Sequence, residues 1–217
     1  MENEKTKEAM NFYLLATKLK YKLRSGWDNN HWNIDIDRRE SIAEHIYGTC
    51  ILAIAIESEY NYDIDLSKVL KMLIIHELGE VKIGDITPFD NITPEEKEKI
   101  EHKAVISVIG DLIKKDELIS LMFEFDEHKT KEAIFAYYCD KLEADIQAKV
   151  YEDMGCQHPL DDQENNVVFN NPKIQQMIAA GAETAFDIWY EWDKAKFKDD
   201  NNFTKILKHV KDNNTNI

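Results

Sequence analysis

Seven glycines and four prolines in 217 residues leave few places for sharp turns. That scarcity argues against a strand-and-turn protein and favours long helices. No stretch approaches the ~20 apolar residues that a membrane span requires. The opening MENEKTKEAMNFY lacks a basic segment followed by an apolar run, so it does not read as a secretion signal. Cysteine is scarce as well: Cys50, Cys139 and Cys156 are odd in number, form no CxxC pair, and read as reduced, mostly buried thiols. Positive charge is also short, with 27 Lys and Arg against 42 Asp and Glu, a net −15. This disfavours a nucleic-acid polymer spread over the whole surface. A locally positive pocket for a small phosphate is untouched by that argument, because net charge describes a surface and not one cleft. The expectation is a soluble, cytoplasmic protein that binds neither membrane nor nucleic acid.

Apolar residues make up 43% of the chain, with nine Phe, nine Tyr and four Trp, enough for one large core. Helical periodicity runs from about Glu2 to Leu23, and RSGWDNNHWNIDIDRRE (24–40) interrupts it as a loop. A second helix is expected over 41–60, started by a capping box of Ser41 and Glu44. A third, over 66–81, carries VLKMLIIHELGEV. Thr93-Pro94-Glu95-Glu96 starts a fourth. A short helix near 118–125 and a long one over 130–154 follow, then an irregular connection and a last long helix over 172–198. Residues after Asp199 read as a polar, weakly packed tail. The fold class is all-α, one domain over 1–198 with a tail over 199–217.

Three helical stretches each place a metal-type side chain inside an apolar pattern. His45 lies in ESIAEHIYG on the face shared with Ile42, Ile46 and Thr49, where a lone histidine is ordinarily a core residue. His76 alone would read the same way. Glu77 and Glu80 change the reading, because carboxylates in a strongly apolar helix are costly unless paired or bound to a metal. On a continuous helix His76 and Glu80 share a face, and Glu77 is turned by about 100°. Asp140 likewise interrupts AIFAYYC and is followed by Lys141-Leu142-Glu143. Two imidazoles and two carboxylates suit one divalent transition metal, Mn, Co, Fe, Zn or Ni. Such an ion lowers the pKa of a water that can attack phosphorus.

The order His, His-acid, Asp over three helical stretches resembles the HD-domain phosphohydrolase superfamily. ESIAEH, HELGEVKIGDI, TPEEK and CDKLEA together are similar to its 5'-deoxynucleotidase branch, over about Lys20 to Glu152. The resemblance implies an HD-type helical bundle, usually a homodimer, that hydrolyses 5'-(deoxy)nucleoside monophosphates. It implies His45, His76, Glu77 and Asp140 as metal ligands. One departure stands out: the superfamily is named for His-Asp, and this chain has His76-Glu77, whose added methylene moves the carboxylate by roughly 1 Å or more.

The same resemblance implies Glu80 over the attacking water and Asp85 as proton donor to the leaving 5'-oxygen. The plain alternatives are a polar partner of His76 and a turn residue. RSGW resembles the Arg and Trp that hold phosphate and sugar, hence Arg24 and Trp27, with Lys141 as a further phosphate neutraliser. The following loop is about four residues longer than in the family, so Trp32, and Arg38 or Arg39, are rivals for those roles. Trp27 as a core anchor and Lys141 as a surface ion pair are the bland readings. Two other functions stay open: hydrolysis of another small phosphate, such as a nucleoside triphosphate or an alarmone, and a non-catalytic nucleotide- or metal-binding regulator.

Overall fold

Most helices here begin where a hydroxyl, carboxylate or amide oxygen takes up one of the first bare N–H groups. The structure, a computed structural model, describes residues 2–28, 31–87, 92–163 and 166–215. Among these residues every regular element is helical, and β pairing is limited to two isolated bridges, Leu23 with Ser41 and Ile34 with Gln157. The all-α expectation holds. Asn29 and Asn30 of the expected loop, Glu164 and Asn165 of the irregular connection, and Asn216 and Ile217 of the tail lie outside the described residues. No described helix is long and apolar enough to cross a membrane.

α1 (Glu2–Ala16) stops short of Leu23, and Thr17–Tyr21 tighten into a 3-10 turn. The Thr17 hydroxyl donates back to the Tyr13 carbonyl at 2.8 Å, a local bond that competes with the helix ladder. α2 (Ile42–Tyr60) opens on the expected box, with the Glu44 carboxylate accepting from the Ser41 N–H at 2.8 Å. α3 (Leu66–Ile75), capped by Asp65, ends six residues before the expected Val81, and a short α4 (Glu80–Ile83) follows after a turn. α5 (Pro94–Ile109) begins as expected, with Thr93 and Glu96 boxed and Pro at the first turn. α6 (Lys115–Glu127) is longer than the sequence pattern indicated, and α7 (Lys131–Asp153) matches within two residues.

The C-terminal part differs most. One helix over 172–198 is replaced by α8 (Pro172–Ala179) and α9 (Ala185–Asp193). Between them Gly181 takes φ +109°, and the Thr184 hydroxyl accepts from the Asp187 N–H at 3.1 Å to start α9 afresh. The expected weak tail forms α10 (Asn201–Asp212), capped by Asp200, with Phe203 and Leu207 buried. Phe203 stacks on Phe197 at 5.9 Å, and Tyr138 of α7 meets both rings edge-on. A polar composition hid an amphipathic helix whose few apolar residues fall on one face.

Contacts divide the chain into two compact units, Met1–Leu23 with Ser41–Tyr137, and Arg24–Glu40 with Tyr138–Ile217. In the first unit α2 packs on α3, α3 and α5 on α6, and α4 on α5. In the second, the loop over 24–40 is a core element and not a solvated connection: Trp27, Trp32 and Ile34 are buried.

One acid in the second unit is out of keeping with its surroundings. Asp145 of α7 is fully buried, and neither carboxylate oxygen has a hydrogen-bond partner. Burial pushes this carboxyl well above the usual range, the charge of Asp193 adds to the rise, and Lys196 and Lys141 oppose it. A folded value above the unfolded one means the native state holds the proton more tightly. Stability from this group is therefore present at low pH and declines as pH rises from the unfolded carboxylate range through the folded value. Asp145→Asn is expected to melt increasingly above the parent protein as pH is raised from about 4. A difference in melting temperature that stays flat with pH would remove Asp145 from this role.

Candidate metal centre and its surroundings

His45 sits on the apolar face of α2 with Ile42, Thr49, Ala53 and Ile56, and it is fully buried. His76 is the C-cap of α3, where the chain leaves the helix. Its Nδ1 lies 2.7 Å from the Leu73 carbonyl. A carbonyl can only accept, so Nδ1 carries a proton, and in the neutral ring Nε2 presents its lone pair. The same carbonyl is the one a continuous helix would offer to the Glu77 N–H. From here the backbone bonds step to i→i−3, from Leu78 to Ile75 and from Glu80 to Glu77. Gly79 completes the break: a Cβ there would meet the Glu101 carbonyl and a Val105 methyl of α5, both at 3.3 Å. The expected helix over 66–81 therefore ends at Ile75, and the face shared by His76 and Glu80 on a continuous helix is replaced by a turn.

That turn aims Glu77 back at the histidines. Its Oε1 lies 3.3 Å from His76 Nε2 and 3.9 Å from His45 Nε2, and the two imidazoles are 5.6 Å apart. One ligand atom from each of the three residues lies within 4.8 Å of the others. A lone-pair nitrogen facing a carboxylate oxygen is unfavourable without a positive charge between them. A cation of borderline softness satisfies this donor set, so the residues present fit a divalent transition metal. The extra methylene of Glu77 does not withdraw it from the group.

The first unit surrounds this group with further acids. Glu80, at the start of α4, is buried, and Asp85 follows Gly84 in a segment pinned by Lys97 Nζ donating to the Ile86 carbonyl at 2.7 Å. Burial pushes the Glu101 carboxyl up; Lys97, 3.5 Å away, opposes the rise and the Glu77 charge adds to it. Asp126 of α6 is raised by burial and lowered by His102, whose Nε2 is 2.9 Å from its Oδ2. Such a concentration of negative charge favours a bound cation. Sequence reasoning passed over Glu101, His102 and Asp126. His102 and Asp126 lie on different helices, and no local pattern links them.

The second unit holds the remaining expected residues. Asp140 of α7 is buried, and its Oδ2 lies 2.7 Å from Lys141 Nζ. The ion-pair alternative for Lys141 is thus the arrangement found, but with a buried acid and not a surface one. Arg24 is half-buried at the start of the 3-10 turn Ser25–Trp27. Trp27 is 1% exposed, with its ring 5.2 Å from both Tyr151 and Trp189. An indole packed in this way has no open face for a sugar, so the core-anchor reading fits it. Trp32, its rival, is buried too, while Arg38 is exposed and Arg39 half-buried. A pocket of about 490 Å³ in this unit, between α8, α9 and α10, holds none of the expected residues.

Comparison with known proteins places the chain among related folds. The HD domain family model matches residues 16–181. The chain is 35% identical over 150 residues to a 5'-deoxynucleotidase HDDC2 of Dictyostelium discoideum, covering 66% of this chain and 77% of the relative. It is 30% identical over 178 residues to the Homo sapiens 5'-deoxynucleotidase HDDC2, covering 78% and 82%. A solved conserved hypothetical protein of Pyrococcus furiosus superimposes with TM-score 0.64 at 25% identity, over 94% of this chain and 99% of that one. A predicted metal-dependent phosphohydrolase of Magnetospirillum magnetotacticum shares the fold, with TM-score 0.64 at 21% identity over 96% and 94%.

Glu77→Gln keeps the side-chain length and removes the charge. It is expected to lower bound metal per chain by at least about tenfold while the melting curve stays cooperative. Metal content equal to the parent's, by elemental analysis, would take Glu77 out of the ligand set.

Proposed function

Because the chain belongs to the HD-domain family, we propose that it is a metal-dependent phosphohydrolase that converts 5'-(deoxy)nucleoside monophosphates to nucleoside and phosphate. The observation that carries this reading is the convergence of His45 Nε2, His76 Nε2 and Glu77 Oε1. Relatives named 5'-deoxynucleotidases supply the substrate class. A net charge of −15 supports a small nucleotide over a polymer.

A divalent transition metal, when bound, supplies Lewis acidity and lowers the pKa of the attacking water. We assign Asp140 as the fourth ligand, with His45, His76 and Glu77. Glu80 takes the proton from the water as the new P–O bond forms. Asp85 delivers a proton to the 5'-oxygen as the P–O5' bond breaks, which eases departure of an otherwise poor leaving group. The planar guanidinium of Arg24 suits two phosphate oxygens. Lys141 adds a second positive charge beside them, and Trp27 supports this turn from the core.

Cys50, Cys139 and Cys156 are free thiols, which supports a reducing compartment such as the cytoplasm. The assembly we infer is a homodimer, usual among the proteins this chain resembles. Sedimentation of the purified protein is expected to give twice the 25.4 kDa chain mass; a monomer at micromolar concentration would end that inference.

Activity is tested by phosphate release across a panel of nucleoside mono- and triphosphates with Mn, Co and other divalent ions. Monophosphates, deoxy forms above all, are expected to turn over. Turnover of triphosphates alone would overturn the substrate class, and no turnover by metal-loaded protein would overturn the enzyme. Glu80→Gln is expected to retain metal and to lose roughly 10²-fold or more in kcat; undiminished kcat would refute its part in proton transfer.

A further inference from the structure

Glu40 is buried at the end of the loop over 24–40, and all three of its polar groups are engaged within the second unit. Its carbonyl accepts from the Arg24 N–H at 3.1 Å. Its carboxylate Oε2 accepts from the Trp27 indole Nε1–H at 3.0 Å. Its own N–H donates to the Tyr151 hydroxyl of α7 at 2.9 Å. Thus one residue ties both ends of the Arg24–Trp27 turn to the helix that carries Asp140 and Lys141.

We propose that Glu40 is the positioning residue for nucleotide recognition: it holds the Arg24–Trp27 turn against α7, so that the Arg24 guanidinium starts from a fixed backbone. This rests on the reading of Arg24 as the phosphate-binding residue. Trp27 is the pivot. Its ring edge and face are occupied by Tyr151 and Trp189, and its one donor is spent on Glu40. The indole cannot rotate without breaking that bond inside the core, where an unmatched N–H is costly. Arg24 is three residues away on the same 3-10 turn, with its carbonyl accepting from the Trp27 N–H at 3.3 Å. Fixing the indole therefore fixes the guanidinium's origin, and less conformational freedom is lost when phosphate binds.

The carboxylate is chosen for more than its fit to Trp27. An oxygen of Glu40 lies within 4.8 Å of one of Glu143, one turn after Asp140 on α7. A hydrogen bond to an acid in this setting is stronger than one to a neutral group.

The test compares Glu40→Ala, Glu40→Gln and Trp27→Phe with the parent, using 2'-deoxyadenosine 5'-monophosphate and metal-loaded protein. Glu40→Ala is expected to raise KM roughly ten- to a hundredfold, with kcat within about threefold and metal content unchanged. Glu40→Gln keeps an acceptor oxygen for the indole and is expected to restore KM to within about fivefold of the parent. Trp27→Phe removes the donor and is expected to raise KM like Glu40→Ala. Adding Glu40→Ala to it is expected to cause no further rise. Unchanged KM in Glu40→Ala, or an equal loss of kcat and metal, would overturn the proposal. So would failure of Glu40→Gln to rescue. A readout independent of turnover separates this clamp from the activity itself. Tryptophan emission of the metal-free protein is expected to shift in Glu40→Ala and to be retained in Glu40→Gln. If the parent hydrolyses no nucleotide, the enzymatic reading fails while emission still reports on the clamp. If the emission of Glu40→Ala equals the parent's, the clamp fails whatever the activity.

Discussion

An imidazole nitrogen that presents its lone pair cannot be left facing a carboxylate oxygen without a positive charge between them. His76 is committed to this arrangement by the Leu73 carbonyl, which accepts a hydrogen bond from Nδ1–H and so leaves Nε2 of the neutral ring to face the carboxylate. The break after Ile75 follows from the same bond and from the close approach of α5 to Gly79. A continuous helix would have turned Glu77 away from His76; the turn brings its oxygen to 3.3 Å. The local irregularity is thus the device that brings His76 and Glu77 together, at the expense of part of a helix ladder.

Electrostatics around this group point the same way. Glu80, Glu101 and Asp126 bring buried or half-buried acid to the same helical unit, and burial raises Glu101 and Asp126 despite nearby Lys97 and His102. Concentrated acid of this kind is tolerable in a protein that keeps a cation. In the second unit the balance is struck differently: Asp140 faces Lys141 and Asp193 faces Lys196 at 2.6 Å, so each of these acids has a resident ammonium. Asp145 has no such contact, and burial pushes its carboxyl up.

Much of the fold was legible because its signals are local. The boxes at Ser41 and Thr93, and the span of α7, depend on residues within one turn of each other or on simple periodicity. The ends of α3 and α8 were not legible, since they depend on a ring bonding to a carbonyl and on a glycine at positive φ. α10 was missed for another reason. Polar composition counts residues, whereas burial of Phe203 and Leu207 depends on which face they share. For Trp27 the residue type suited both a sugar platform and a core anchor, and only its neighbours Tyr151 and Trp189 distinguish them.

By itself the sequence determined the helical class, most helix starts, and the residue types that a metal-assisted hydrolase requires, because these rest on short-range bonds and periodicity. The tertiary structure alone decided which polar atoms converge. His45 and Glu77 are 32 positions apart yet lie 3.9 Å from one another, and Glu40 meets Tyr151 across 111 positions. Distances of that kind are set by packing between helices, and packing is not written in any one segment.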